Sequence, residues 1–220
     1  MWLVIFGTGL GASIVLSGDG GLDYQTFIYP GILTMTTLFG SLFFGLYIIM
    51  DKRVDFLKEV LVAPLSRTTI FFGKVLGGAT DGLIQVAILM LLGSLFFGIH
   101  FTIYSVVVSF MVVFLLMVSI LSLGLTIGSM MSSLEGFGLI SSFVSFPLFF
   151  LSGALFPVKN LPGWLYVFVS FNPVSYAVDA LRTVILGIGT FGIVLDFAVL
   201  VGFALLMIAV GTWAFGRMKI

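Results

Sequence analysis

Residues 104–130 read YSVVVSFMVVFLLMVSILSLGLTIGSM, a run without one charged side chain. A helix of about 20 predominantly apolar residues crosses the hydrocarbon core of a bilayer, so this run can span a membrane and still tilt or extend past the hydrocarbon. A buried helix in a soluble protein would need polar helices to cover it, and the sequence does not supply them. The run therefore predicts an all-α integral membrane protein.

The composition of the 220 residues supports the same fold class. Hydrophobic residues make up 60% of the chain and charged residues 8%, with a mean hydropathy of +1.31. In soluble domains roughly a quarter of all residues are charged, so this chain has too few charged residues for a surface that faces water. The net charge of +0 gives no basis for nucleic-acid binding, and the lack of cysteine excludes disulfides and thiolate metal sites. The single histidine, His100, does not make a metal site by itself.

About six transmembrane helices are predicted, in residues 1–16, 28–49, 71–99, 104–130, 137–156 and 193–215. The first would be only about 24 Å long. We interpret it as the outer two-thirds of a span whose beginning is absent from this chain; a short but complete span is the alternative. Residues 1–220 are predicted to form a single transmembrane domain.

The basic residues predict the orientation, because lysine and arginine are enriched in cytoplasmic loops. With residues 50–73 inside, two basic residues, Lys159 and Arg182, lie outside. The other seven lie on or near the cytoplasmic side: Lys52, Arg53, Lys58, Arg67, Lys74, Arg217 and Lys219. Loops 17–27, 100–103 and 157–192 are then external, and the C-terminus is cytoplasmic in a multi-pass protein of the cell membrane.

Residues 51–66 contain the densest run of charge and have the period of an amphipathic helix. Val54, Leu57 and Leu61 are spaced i, i+3, i+7, and Phe56 and Val60 broaden this apolar stripe. The other side carries charged residues: Asp51, Lys52, Asp55, Lys58 and Glu59. Pro64 ends the helix. We interpret this helix as a lever that receives force from a soluble subunit; a helix lying passively in the headgroup layer is the alternative.

The segment after the fifth span is predicted to be an external re-entrant helical hairpin over residues 157–190. The fifth span is interrupted by a proline and ended by Gly153 and Pro157. Residues 159–166 and 172–182 are moderately apolar but too short to cross, which fits two helices dipping into the outer leaflet. The aromatic residues at interface depth are Trp164, Tyr166 and Tyr176.

Charged and small residues within the helices give weaker signals. Asp179 and Arg182 are three residues apart and can form a salt bridge, which we favour over a role in substrate binding. Asp81 and Gln85 lie one turn apart inside the third span, where Asp81 is solvated, paired with Lys74, or part of a transport site. Asp196, near the outer end of the last span, is likewise solvated, paired with another group, or part of a transport site. GxxxG pairs that permit close helix contact occur at Gly7/Gly11, Gly73/Gly77 and Gly124/Gly128.

Signatures of enzymes are missing from the sequence. The dipeptide Gly73-Lys74 is followed by valine and has no glycine five residues earlier, so it is not a phosphate-binding loop. No His-Glu-x-x-His motif is present, and Asp19 and Asp23 fall in an external loop. If ATP drives this protein, another chain hydrolyses it.

Three passages together resemble the permease subunit of type-2 ATP-binding-cassette exporters, a family that exports drugs, lipids and glycans. Residues 55–67, DFLKEVLVAPLSR, with Gly73-Lys74 are similar to the first cytoplasmic loop of the family. Residues 29–33, YPGIL, are similar to its entry into the second span. Residues 146–157, FPLFFLSGALFP, and 172–182, NPVSYAVDALR, are similar to its signature from the fifth span into the external hairpin.

The resemblance implies a permease that forms a dimer, with a homodimer expected, and binds two cytosolic ATPase subunits, which hold ATP and magnesium; this chain binds no cofactor. Lipid surrounds it, and a hydrophobic or amphipathic substrate passes between residues of mostly the second and fifth spans. The residues implied in ATPase coupling are Lys52, Arg53, Phe56, Leu57, Lys58, Glu59, Leu61, Pro64 and Arg67. Those implied in the structure of the hairpin are Gly153, Pro157, Pro162, Asn172, Pro173, Tyr176, Asp179 and Arg182.

Two departures from the family pattern leave other functions open. Asp55 stands where the family often has glycine. Residues 2–11 resemble the latter part of the family's first span, so we expect the N-terminal cytosolic helix and the start of that span to be absent from this sequence. A truncated, non-transporting membrane scaffold is one alternative. A gradient-driven transporter or channel is another, although the inverted repeats of such folds are not found here.

Overall fold

The computed structural model describes residues 24–54, 66–158 and 161–218, and these residues form a bundle of helices. In chain order the helices are α1 (Tyr24–Phe43), α2 (Leu46–Arg53), α3 (Arg67–Phe97), α4 (Ile103–Met130), α5 (Leu134–Phe150), α6 (Gly163–Phe171), α7 (Pro173–Leu186) and α8 (Ile193–Gly216). This architecture confirms the predicted all-α membrane fold.

Within the described residues, four helical segments are long and apolar enough to cross a membrane: Tyr24–Arg53, Arg67–Phe97, Ile103–Met130 and Ile193–Gly216. They correspond to the predicted second, third, fourth and sixth spans. The predicted first span, residues 1–16, lies outside the described residues.

The fifth predicted span ends earlier than residue 156. Helix α5 has 17 residues, about 25 Å of helix. It continues through Pro147 and stops at Phe150, because Gly153 takes a left-handed conformation with φ of +71°. The Ser152 hydroxyl holds this turn by donating to the Phe149 carbonyl (2.6 Å) and accepting from the Ala154 amide (3.2 Å).

The second span is divided near Phe44 and Gly45, where α1 ends and α2 begins. Here the Gly45 amide bonds the Leu42 carbonyl and the Tyr47 amide bonds the Phe44 carbonyl, an i to i−3 pattern that tightens the helix locally. Helix α2 then runs to Arg53, so residues 51–53 continue the second span. This corrects the predicted separate helix beginning at residue 51; its remainder, residues 55–65, lies outside the described part.

Helix α4 occupies the centre of the bundle and packs against α1, α2, α3, α7 and α8. Two of its buried hydroxyls bond to carbonyls of the same helix: Ser119 donates to the Leu115 carbonyl (2.8 Å) and Ser122 to the Val118 carbonyl (2.7 Å). The buried Ser109 hydroxyl, by contrast, has no hydrogen-bond partner among the described residues. A helix surrounded by other helices can satisfy such polar side chains through its own backbone.

Close packing of α4 depends on the predicted pair Gly124 and Gly128. A Cβ atom on Gly124 would collide with the Leu42 carbonyl, and one on Gly128 with the Gly45 carbonyl, so backbone meets backbone at the division of the second span. Gly73 and Gly77 instead face open space, with no heavy atom within 4 Å of an added Cβ among the described residues. Gly7 and Gly11 lie outside the described ranges.

Helices α6 and α7, of 9 and 14 residues, form a hairpin with Asn172 at its corner. Asn172 caps α7 by accepting from the Val174 amide (3.0 Å), and its side-chain amide donates to the Leu148 carbonyl (2.7 Å). Pro173 occupies the first turn of α7, where a missing N–H is tolerated. The Tyr176 hydroxyl donates to the Ser170 carbonyl (2.8 Å) and closes the two arms.

Candidate functional site

An aromatic cleft of about 560 Å³ lies between α1, α3 and α5. Its lining residues are Ile32, Met35, Thr36, Phe39, Gly40, Gln85, Phe146, Phe149 and Phe150. The ring of Phe39 meets those of Phe146 and Phe149 edge to face, with centroids 5.6 and 6.2 Å apart. Ligand pockets typically measure about 300–1,000 Å³ and are mainly apolar, so this cleft has the size and chemistry of a binding site.

Helical spacing brings these side chains onto one wall. On α1, Ile32, Met35 and Phe39 recur at i, i+3 and i+7, and on α5 Phe146, Phe149 and Phe150 recur at i, i+3 and i+4. The family resemblance implies a pathway lined mostly by the second and fifth spans, and the cleft is built mainly from residues of those two. Gln85 of α3 was noted in the sequence, but its position against α1 follows only from the packing.

A polar notch adjoins the cleft and shares Thr36, Gly40 and Gln85 with it. Thr37, Ser41 and Asp81 add further polar groups to the notch. Gly40 leaves room for Gln85, whose Oε1 atom lies 3.7 Å from where a Cβ on Gly40 would be. The apolar cleft therefore continues into a region rich in oxygen atoms.

Lys74 does not pair with Asp81, although the sequence allows that pair. Its ammonium group lies 2.5 Å from the Asp51 carboxylate instead, and thereby joins α3 to α2. Asp81 makes no hydrogen bond or ion pair with any described residue.

Lys52 and Arg67, assigned from sequence to ATPase coupling, each cap the C-terminal end of another helix. The Lys52 ammonium donates to the carbonyls of Gly128 (3.3 Å), Ser129 (2.6 Å) and Met131 (3.2 Å) at the end of α4. A helix C-terminus carries unsatisfied carbonyls and partial negative charge, so a cation there is stabilising.

The Arg67 guanidinium makes the equivalent contact with α8. It donates to the carbonyls of Gly216 (3.0 Å) and Met218 (2.9 Å). The stretch between Lys52 and Arg67 is therefore flanked by ties to α4 and α8. Arg53 is exposed. The other residues assigned to coupling lie outside the described ranges: Phe56, Leu57, Lys58, Glu59, Leu61 and Pro64.

In the hairpin, Asp179 and Arg182 do not pair with each other within the described residues, contrary to the predicted salt bridge. The Asp179 carboxylate, 3% exposed, accepts from the amides of Thr190 (2.9 and 3.0 Å) and Phe191 (2.9 Å). These amides reach it because the chain folds back over α7 after Gly187, which has φ of +73°.

Arg182, 4% exposed, points instead toward the turn after α5. It donates to the carbonyls of Gly153 (3.2 Å) and Ala154 (3.5 Å), and its guanidinium lies 4.0 Å from the centre of the Phe27 ring. Pro157 follows this turn, and the Pro162 carbonyl accepts from the Leu165 amide (2.9 Å) at the start of α6. Asn172, Asp179 and Arg182 therefore each bond backbone groups in or beside the hairpin.

Replacing Asp179 by asparagine is expected to destabilise the protein by about 2 kcal/mol, because the negative charge is lost and an NH2 donor replaces one of the two oxygens that accept from backbone amides. Asp196→Asn is the matched control. The Asp196 carboxylate is fully buried, and neither oxygen has a hydrogen-bond partner among the described residues, so removing its charge breaks no such contact. Thermal unfolding in detergent measures both variants, and equal losses would contradict this role of Asp179.

Comparison with known proteins places the chain in a family. The family model described as ABC-2 type transporter matches residues 1–186. The transport permease ycf38 of Cyanophora paradoxa is 33% identical over 188 residues, which are 83% of this chain and 63% of that protein. The inner membrane transport permease YadH of Escherichia coli K12 is 32% identical over 210 residues, 92% of this chain and 78% of YadH. The chain thus spans less than two thirds of the length of ycf38. With its membrane-spanning helices, it belongs to the ABC-2 type transporter family and is a multi-pass membrane permease.

Proposed function

We propose that this chain is the membrane-spanning subunit of an ATP-driven exporter and provides the pathway for a hydrophobic or amphipathic substrate. The aromatic cleft between α1, α3 and α5 carries this proposal, because it offers a drug-sized apolar space inside a membrane permease. Family membership supports the transport role.

ATP hydrolysis is assigned to separate cytosolic ATPase subunits, since the sequence has no phosphate-binding loop. Those subunits would hold ATP and magnesium. The apolar stripe containing Leu57 and Leu61 would dock on the ATPase, and the exposed Arg53 would contribute to the charged rim of that interface.

The hydrogen bonds of Lys52 and Arg67 connect this docking segment mechanically to the helix bundle. Displacement of the segment would pull on the C-terminal ends of α4 and α8, because both flanks are hydrogen bonded to carbonyls there. Helix α4 contacts α1 and α3, which form two walls of the cleft. Nucleotide-driven motion could in this way change the shape of the cleft.

The remaining parts of the proposal concern the surroundings of the chain. The bundle exposes large apolar side chains, including Phe143 and Leu205, which fits contact with lipid and with a second permease copy. We place the ends that carry Lys52, Arg67 and Arg217 in the cytoplasm of the cell, following the distribution of basic residues.

The double variant Leu57→Asp, Leu61→Asp is expected to abolish association with the ATPase while membrane insertion stays intact, because two charges would have to be buried in an apolar dock. Co-purification in mild detergent, with the ATPase recognised by its phosphate-binding loop, measures this. Ser66→Asp is the control: it adds a charge beside the segment but retains a residue type that caps α3.

Unchanged recovery of the ATPase with the double variant would show that this segment is not the dock. Substrate movement in vesicles that contain neither nucleotide nor ATPase would overturn the exporter proposal as a whole.

A further inference from the structure

Asp81 is an acidic residue well inside the third span. It lies seven residues beyond Lys74, about 10 Å along α3. Lys74 itself lies near the N-terminal end of α3 and is paired with Asp51. An ionised carboxylate within the membrane costs several kcal/mol unless a partner or water compensates it. The described residues supply no such partner for Asp81, and its side chain is exposed, so a cation outside the helix can reach it.

The notch around Asp81 presents acceptors rather than cations. Its lining contains no lysine, arginine or histidine among the described residues. The hydroxyls of Thr36 and Thr37 already donate to the carbonyls of Ile32 (3.0 Å) and Leu33 (2.9 Å), so their oxygens remain as acceptors. The notch has a volume of about 20 Å³, room for about one water-sized group, so a larger cation would lie at its mouth, where it meets negative charge and lone pairs.

The aromatic cleft continues from this notch through Thr36, Gly40 and Gln85. The faces of its phenylalanine rings attract organic cations as well as apolar groups. One end of the combined site thus suits a positive charge and the other an apolar body.

We propose that the combined site binds a hydrophobic organic cation, with its charge near Asp81 and its apolar body between the rings of Phe39, Phe146 and Phe149. This assigns a substrate class to the exporter proposed above and rests on that proposal. An anionic amphiphile would be repelled by Asp81. No group of three or more histidine, cysteine or acidic side chains that could hold a metal ion occurs in the described ranges.

Two ions of the same shape and opposite charge test the assignment. Tetraphenylphosphonium and tetraphenylborate are titrated separately against the purified permease in lipid nanodiscs, without ATPase or nucleotide. After binding to protein-free nanodiscs is subtracted, the wild-type protein is expected to bind the cation at least about 10-fold more tightly than the anion, because the Asp81 carboxylate attracts the cation and repels the anion.

Asp81→Asn is expected to remove most of this preference, and Asp81→Glu to keep it. Glu135→Gln, at the start of α5 and outside both the cleft and the notch, serves as the control that leaves the preference unchanged. Thermal unfolding of each variant shows that it is folded.

Equal affinity of the wild-type protein for the two ions would overturn the assignment, even if a variant failed to fold. Preference retained by a folded Asp81→Asn variant would also overturn it. Because this experiment omits the ATPase, co-purification of the ATPase judges the exporter proposal separately.

Discussion

Replacing Gly124 by valine is expected to prevent the permease from folding into its native bundle. An added Cβ collides with the Leu42 carbonyl, and a backbone atom cannot move aside as a flexible side chain can. Overpacking of a core costs about 1–3 kcal/mol when side chains can adjust, and a clash with backbone belongs at or above the upper end of that range. The yield of monodisperse protein from membranes and its thermal unfolding measure the effect.

Gly77→Val is the matched control for this prediction. Gly77 lies in another long apolar helix, but an added Cβ there meets no heavy atom within 4 Å in the part of the chain that the structure describes. The control variant is expected to keep nearly the wild-type yield and unfolding temperature. Similar behaviour of the two variants would show that α4 does not depend on backbone contact with the second span.

Replacing Lys52 by methionine is expected to reduce coupled transport at least about tenfold while the ATPase still binds. The variant keeps the length of the side chain but loses three hydrogen bonds to the end of α4. Hydrogen bonds to a charged group contribute about 1.5–3 kcal/mol, so the link between the docking segment and α4 is weakened. The number of substrate molecules moved per ATP hydrolysed in vesicles measures the coupling.

The neighbouring Arg53 provides the control for Lys52. Arg53→Met removes an adjacent positive charge from an exposed position and is expected to affect ATPase affinity rather than the transport ratio. Lys52→Arg, which keeps a cation and donors, is expected to restore most of the coupling. An unchanged ratio in Lys52→Met would exclude transmission through this contact.

The spans could be predicted from the sequence because long apolar runs satisfy a membrane by themselves. The division of the second span could not, since Gly40 and Gly45 look equivalent as glycines on that segment. Gly45 lies against the backbone of α4, whereas Gly40 lies against the side chain of Gln85. Tertiary contact, rather than local propensity, decides where the helix tightens. Pro147, by contrast, suggested an interruption, but α5 continues through it.

Side-chain partners were less predictable than helices. The i, i+3 spacing shows that Asp179 and Arg182 are neighbours, but not that amides of the following loop bond Asp179 while carbonyls of the turn after α5 bond Arg182. The position of the cleft could not be predicted from the sequence either. Phe143 and Phe149 lie on the same helix, yet Phe143 is 82% exposed and Phe149 is 4% exposed. A single sequence does not distinguish an aromatic ring that faces a cleft from one that faces outward.

The contacts of Arg182 have a mechanical consequence for the cleft. They join the hairpin to the turn after α5 and to Phe27 near the start of α1. The Tyr24 hydroxyl also donates to the Leu155 carbonyl (3.1 Å), and Gly31 lies against Ala154. Helices α1 and α5 are thus fastened together at one end. If these contacts persist while the cleft walls separate, α1 and α5 would rotate about the fastened end, with the axis of opening beside the hairpin.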